Sequence, residues 1–191
     1  MKNILIFSVI TLSALSIVSC SKEKSDTPVQ AVTTTKEITV NFSNSSSFTL
    51  FSFKDSTVIV NTDSASAKWD FALRLTTFLV NSNSGGPGNA GVILQDGVYD
   101  NINVAPSTGY AYDTSASQRA IKDGSWYDYN PVSHSFIPKA GKVFIFKTAD
   151  GLHYAKMELL SANYAPFVGP VPQQIIYKIR FTYQADGSRN F

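Results

Sequence analysis

From Lys36 onward the chain alternates apolar and polar residues in short runs rich in β-branched and aromatic types. Glu37 to Phe42, Phe48 to Phe53, Thr57 to Asn61, Trp69 to Thr76, Val92 to Leu94, Val143 to Lys147, His153 to Leu160 and Ile175 to Tyr183 are each of strand length, and turn-forming residues separate them. In Trp69 to Leu75 the period is two: Trp69, Phe71, Leu73 and Leu75 fall on one side, Asp70, Ala72 and Arg74 on the other. A strand there is expected to bury the first set. Thr148-Ala149-Asp150-Gly151 ends in an Asp-Gly pair that tolerates positive φ, which predicts an antiparallel hairpin between the flanking runs. The expected fold class is therefore all-β, with antiparallel sheets in a single domain over 36–191. Two stretches break the pattern. Asn81 to Ala90 is Gly-rich but lacks the Lys-Ser/Thr ending of a phosphate loop and the spacing of a dinucleotide fingerprint, so it reads as a mobile loop. Ala105 to Gly124 is polar, and its Ser115 to Ile121 portion is long enough for at most a short helix.

The first residues follow a different rule. Met1-Lys2-Asn3 precedes an apolar run from Ile4 to Val18, which is shorter than the roughly 20 residues a membrane-spanning helix needs. Residues 1–19 read as an export signal. Ile17-Val18-Ser19-Cys20 has the form of a bacterial lipobox, and Cys20 is the only cysteine. Cys20 is thus the expected lipid-attachment residue, and no disulfide can form within the chain. Residues 20–35 lack apolar periodicity and read as a lipidated, flexible tether. Charged residues in Ser21-Lys22-Glu23-Lys24-Ser25-Asp26 resemble surface-export signals of some Gram-negative lipoproteins. The expected location is the outer membrane, through a lipid anchor, with either leaflet open.

Composition narrows the function. Charged residues make up 16% and the formal net charge is +2, which gives no electrostatic footprint for nucleic acid. Aromatics reach 13%, which suits strands. Catalytic groups are scarce: His134 and His153 are the only histidines, and no Gly-x-Ser-x-Gly elbow surrounds any serine. No enzymatic activity is expected. His134 falls in the turn-forming stretch Asn130-Pro131-Val132-Ser133-His134, while His153 and Met157 share a strand face with Ala155 and Leu159, on which Met157 reads as a core filler.

Taken in order, several segments resemble the HmuY family of haem-binding lipoproteins. They are Lys68-Trp69-Asp70-Phe71-Ala72-Leu73-Arg74, Asn83-Ser84-Gly85-Gly86, Trp126-Tyr127-Asp128-Tyr129, Ile137-Pro138-Lys139, Thr148-Ala149-Asp150-Gly151 with Tyr154 to Leu160, Ile179 to Gln184, and Gly187-Ser188. The resemblance implies antiparallel sheets whose projecting β-hairpins grip haem, and a protein that passes it to a TonB-dependent outer-membrane receptor. Family members hold the iron through His or Met pairs on variable loops. Here the corresponding segments, Ala105 to Gly124 and Ser161 to Gln174, contain neither residue type. They offer Tyr110, Tyr112 and Tyr164, and tyrosinate is a known haem ligand. With His134, these are the candidate haem-binding residues. The Pro-rich stretch from Ala165 to Pro172 carries apolar groups near where a porphyrin face can rest, and a rigid hairpin loop accounts for it equally well. The alternative is a haem-free surface module of the same fold that binds a protein or another small molecule.

Overall fold

A computed structural model of the protein describes residues 31–42, 46–169 and 171–191. The export signal, Cys20 and the tether up to residue 30 lie outside the described residues. Among the described residues the chain forms β1 (Val32–Asn41), β2 (Thr49–Ser52), β3 (Thr57–Ile59), β4 (Phe71–Arg74), β5 (Thr77–Val80), β6 (Gly91–Asp96) and β7 (Tyr127–Asn130). It continues with β8 (Ser135–Pro138), β9 (Lys142–Lys147), β10 (Tyr154–Tyr164), β11 (Phe167–Val168), β12 (Val171–Pro172) and β13 (Gln174–Gln184). A five-stranded sheet runs β1-β13-β10-β9-β6, a four-stranded sheet runs β3-β2-β4-β5, and β7-β8 and β11-β12 are separate hairpins. Neighbouring strands pair antiparallel throughout. The fold class is all-β, as the alternation predicts. Among the described residues no helix is long and apolar enough to cross a membrane.

The sheets close on an aromatic interior. Phe51, Phe53, Phe71 and Phe78 from the four-stranded side meet Phe144, Phe146 and Phe181 from the five-stranded side, all of them buried. Phe53 alone approaches Phe146 at 5.0 Å and Phe181 at 5.3 Å between ring centroids, within the range of favourable offset and edge contacts. Strand β9 is apolar on both sides because both of its faces are covered: Phe144 and Phe146 enter this interior, while Val143 and Ile145 pack beneath Tyr99, Ile102 and Ala105. The C-terminal residues help to hold that second cover, with the Phe191 amide donating to the Asn103 carbonyl and the Ala105 amide to the Arg189 carbonyl, both at 2.8 Å.

Three sequence expectations are corrected. The first strand starts at Val32 and not at Glu37: Val32 to Thr35 pair with Tyr183 to Arg180 of β13, a backbone ladder that needs no apolar periodicity. Trp69 and Leu75 do not share the buried face of Phe71 and Leu73. Trp69 precedes β4 and packs with Leu50, Ala72 and Leu79, and Leu75, at φ 50°, sits in the turn between β4 and β5. The Gly-rich loop is tied down. Asn81 donates its amide to the carbonyls of Ser66 and Trp69 and accepts from the Gly88 amide, and a Cβ on Gly86 would fall 2.2 Å from Asn81 Oδ1. The Asp-Gly hairpin forms as expected, with Gly151 at φ 73°.

Between Trp69 and Phe71 the chain turns Asp70 inward. Its carboxylate accepts from the Phe53 amide, just past β2, and from the Ala149 amide, just past β9, each at 2.8 Å, so one side chain ties the two sheets together. Burial nevertheless pushes its pKa up to about 6, against the pull of those two donors. The folded state then holds the proton more tightly than the unfolded chain does. Asp70 contributes stability below about pH 4 that is lost as pH rises through about 6, on the order of 3 kcal/mol in all. Asp70→Asn keeps one carbonyl oxygen for two donors and is expected to cost roughly 1–3 kcal/mol near neutral pH. Urea unfolding from pH 4 to 7 checks this: the variant should lack the wild-type slope in that window, and parallel pH profiles would refute the assignment.

Candidate functional site

Strands β10 and β13 run eleven residues each and reach past β9 and β6, with β1 alongside β13 as far as Gln174. A bulge at Leu160 interrupts their ladder, so that Leu159 pairs with Ile179 but Ser161 pairs with Lys178. The extra residue shifts side-chain parity by one. Ala162 and Tyr164, opposite Tyr177 and Ile175, therefore stay on the core face of Met157 and Leu159, and Leu160 is turned outward. The ladder goes on beyond Tyr164 through Ala165 and Gln173 into β11-β12, whose Phe167 and Val168 are exposed at the tip. This is a projecting finger.

The second finger is the β7-β8 hairpin. Tyr129 lies opposite Phe136 and Tyr127 opposite Pro138, so Tyr127, Tyr129 and Phe136 share a face. Their rings touch at 4.8 Å (Tyr127 to Phe136) and 5.2 Å (Tyr129 to Phe136). The face meets the first finger where Phe136 approaches Tyr164 at 6.2 Å, and Tyr164 in turn approaches Phe42 at 5.8 Å. In the turn, the Asn130 side chain accepts from the amides of Val132 and Ser133, and His134 takes φ 52°. Its Nδ1 is hydrogen-bonded to the Tyr129 hydroxyl at 2.7 Å. With the proton on Nδ1 donated to that oxygen, the lone pair on Nε2 is left without a protein partner among the described residues. Around these groups the fingers expose Tyr129, Val132, Ile137, Leu160, Phe167 and Val168.

The four candidate residues fall into two groups. His134 and Tyr164 are linked through Tyr129 and Phe136. Tyr110 and Tyr112 lie beside Gly91, and the Tyr110 ring is 6.4 Å from Tyr154 at the other end of β10. Ten strand residues separate Tyr154 from Tyr164, roughly 30 Å at the usual rise. All four cannot serve one ligand. The phenols also differ from the imidazole in chemistry. Burial pushes Tyr164 up to about 12, with Tyr129 and Tyr127 nearby adding to the rise, and burial drives Tyr110 higher while its hydroxyl donates to the Pro106 carbonyl. Both sites penalise a tyrosinate.

The sequence reading missed Tyr127, Tyr129, Phe136 and Phe42, although the period of two in Trp126-Tyr127-Asp128-Tyr129 carries the signal. Met157 is in the core as expected, while His153 is at the hairpin turn with Nδ1 2.6 Å from Asp150. Among the described residues no three His, Cys, Asp or Glu side chains group as a metal site.

No protein-family model matches the chain, and no curated protein matches it in sequence. Among solved structures, its fold is similar to that of the apo HmuY analog of Tannerella forsythia, at 13% identity and a TM-score of 0.53. The match covers 80% of this chain and 97% of that one. The architecture is HmuY-like. At that identity the likeness is one of fold, and it agrees with the antiparallel all-β arrangement and the projecting hairpins described above.

Tyr164→Ala removes the ring that joins the fingers. It is expected to lower hydrogen-exchange protection across Tyr127 to Pro138 while leaving β9 protected, at a cost of roughly 1–3 kcal/mol. Tyr164→Phe should stay within about 0.5 kcal/mol of wild type, because the hydroxyl has no hydrogen-bond partner among the described residues. Uniform loss of protection in the alanine variant would count against a local hinge.

Proposed function

We propose that the protein is a non-catalytic haem-binding lipoprotein of the HmuY type, anchored in the outer membrane through Cys20, that holds haem between its two fingers and delivers it to a TonB-dependent receptor. The observation that carries the reading is a finger surface of one exposed and two half-buried aromatic rings with an oriented imidazole at its edge: Tyr129, Phe136 and Tyr164 beside His134, whose Nδ1 is already engaged. Apolar walls suit the faces of a porphyrin, and an imidazole fixed through one nitrogen offers the other as an axial donor. Bound haem supplies iron for uptake and no reaction on the protein. His134 is the preferred donor because the Tyr164 phenol is held well above its ordinary pKa. Tyr110 and Tyr112 drop out of this site by distance.

A second reading, a haem-free module of the same fold, is favoured by the contact of Phe136 with Tyr164, which fills space between the fingers. A haem titration of the purified protein separates the two. Saturable binding at micromolar haem with a shifted Soret band is expected, lost or weakened at least about tenfold in His134→Ala and unchanged in Tyr110→Phe and Tyr112→Phe. No saturable binding supports the module and ends the haem reading. A spectrum indifferent to His134 moves the site elsewhere.

A further inference from the structure

Few atoms of this chain can hold a transition metal by a strong axial bond. The whole sequence has two histidines, two methionines and one cysteine. Met1 and Cys20 precede β1, and Met157 is 0% exposed in the core. His153 lies just before β10, at the end away from Tyr164, with its Nδ1 bonded to Asp150 at 2.6 Å. Of the imidazoles, thioethers and thiol, His134 alone stands on the fingers.

The oxygen and nitrogen donors around His134 are already engaged or held neutral. The Tyr129 oxygen sits 2.7 Å from Nδ1, on the ring edge opposite the free Nε2, and so points away from whatever Nε2 ligates. The Tyr127 hydroxyl donates to Asp123 at 2.8 Å, and burial together with that carboxylate raises its pKa. Burial keeps Tyr164 a neutral phenol, its pKa pushed up to about 12. Asp128 pairs with Lys139 and Glu158 with Arg180. A porphyrin iron has two axial positions, one on each face of the ring. The finger surface supplies a donor for one of them.

We propose that haem held at the fingers has a single axial protein ligand, His134, and that the opposite position binds a small exogenous ligand, such as cyanide on ferric iron or carbon monoxide on ferrous iron. The inference rests on the haem reading above and departs from the His or Met pairs that the family resemblance implies. The protein then takes two ligands in sequence: haem between the fingers, and a small molecule on its iron.

Ferric haem added to an equal amount of the full chain, followed by electronic absorption and electron paramagnetic resonance, tests this. A high-spin ferric spectrum is expected, converted to low-spin by saturable binding of cyanide, and carbon monoxide should bind after reduction. His134→Ala should lose the wild-type high-spin signal, with haem affinity lowered at least about tenfold, whereas Tyr164→Phe should keep both. Thermal melts confirm that each variant is folded. A low-spin ferric spectrum that millimolar cyanide leaves unchanged reveals a second protein ligand and overturns the inference while haem binding stands. A high-spin signal that persists in His134→Ala, or vanishes in Tyr164→Phe, overturns it by moving the bond to another donor. No saturable haem binding by the wild type ends both readings.

Discussion

The pairing of β10 with β13, carried across a bulge at Leu160, is the constraint on which the rest of the structure depends. These strands form the centre of the five-stranded sheet, with β1 added along one edge and β9 and β6 along the other. In an unbroken ladder the parity of β10 would run on unchanged, and Ser161 and Asn163 would face the core in place of Ala162 and Tyr164. With the bulge, one face stays apolar from Met157 to Tyr164, and the finger grows out of the core as a continuation of it. The second finger rests on the body at two places, where Phe136 approaches Tyr164 at 6.2 Å and where Tyr127 packs on the buried Trp126 at 4.6 Å.

Buried charge fixes the segments that the sheets do not. Asp70 joins the turns after β2 and β9, and Asp113 joins β5 to the chain that carries Arg119 and Ala120. On the other face of the large sheet, Lys156 is buried beneath Tyr99, donating to the carbonyls of Tyr99 and Ile102, and burial lowers its pKa. A buried charged group is tolerated only where its hydrogen bonds are met, so each of these side chains specifies one placement of the loop that meets it. That is why a Gly-rich stretch and a long polar segment, both without regular structure, still form rigid walls.

Strands with dense β-branched and aromatic alternation were legible in the sequence, and so was the Asp-Gly hairpin, because period and turn chemistry are local properties. Strands β5, β7 and β8 were not. Each is four residues long, and β7 and β8 include Asp128, Asn130 and Pro138, residue types that strands disfavour. Their pairing is decided by partners that no short window contains. The bulge at Leu160 is invisible for the same reason: it exists only in the register with β13. Among the site candidates, Tyr110, Tyr112, His134 and Tyr164 could be selected by residue type, but which of them stand together depends on the ten-residue span of β10. Asp70 and Asp113 read as ordinary polar positions on alternating strands and loops, and only the packing of two sheets reveals them as buried ties.

The register of β1 also orients the molecule. Val32 pairs with Tyr183, which in turn pairs with Ala155, whereas Asn41 pairs with Gln174 near the finger tip. The chain before Val32 therefore joins the domain at the end of the sheet farthest from Phe167 and Val168. The fingers point away from the end at which β1 begins, by roughly the 30 Å that ten strand residues span. The fingers and Tyr112 thus stand at opposite ends of one sheet, set by the register of a single strand pair.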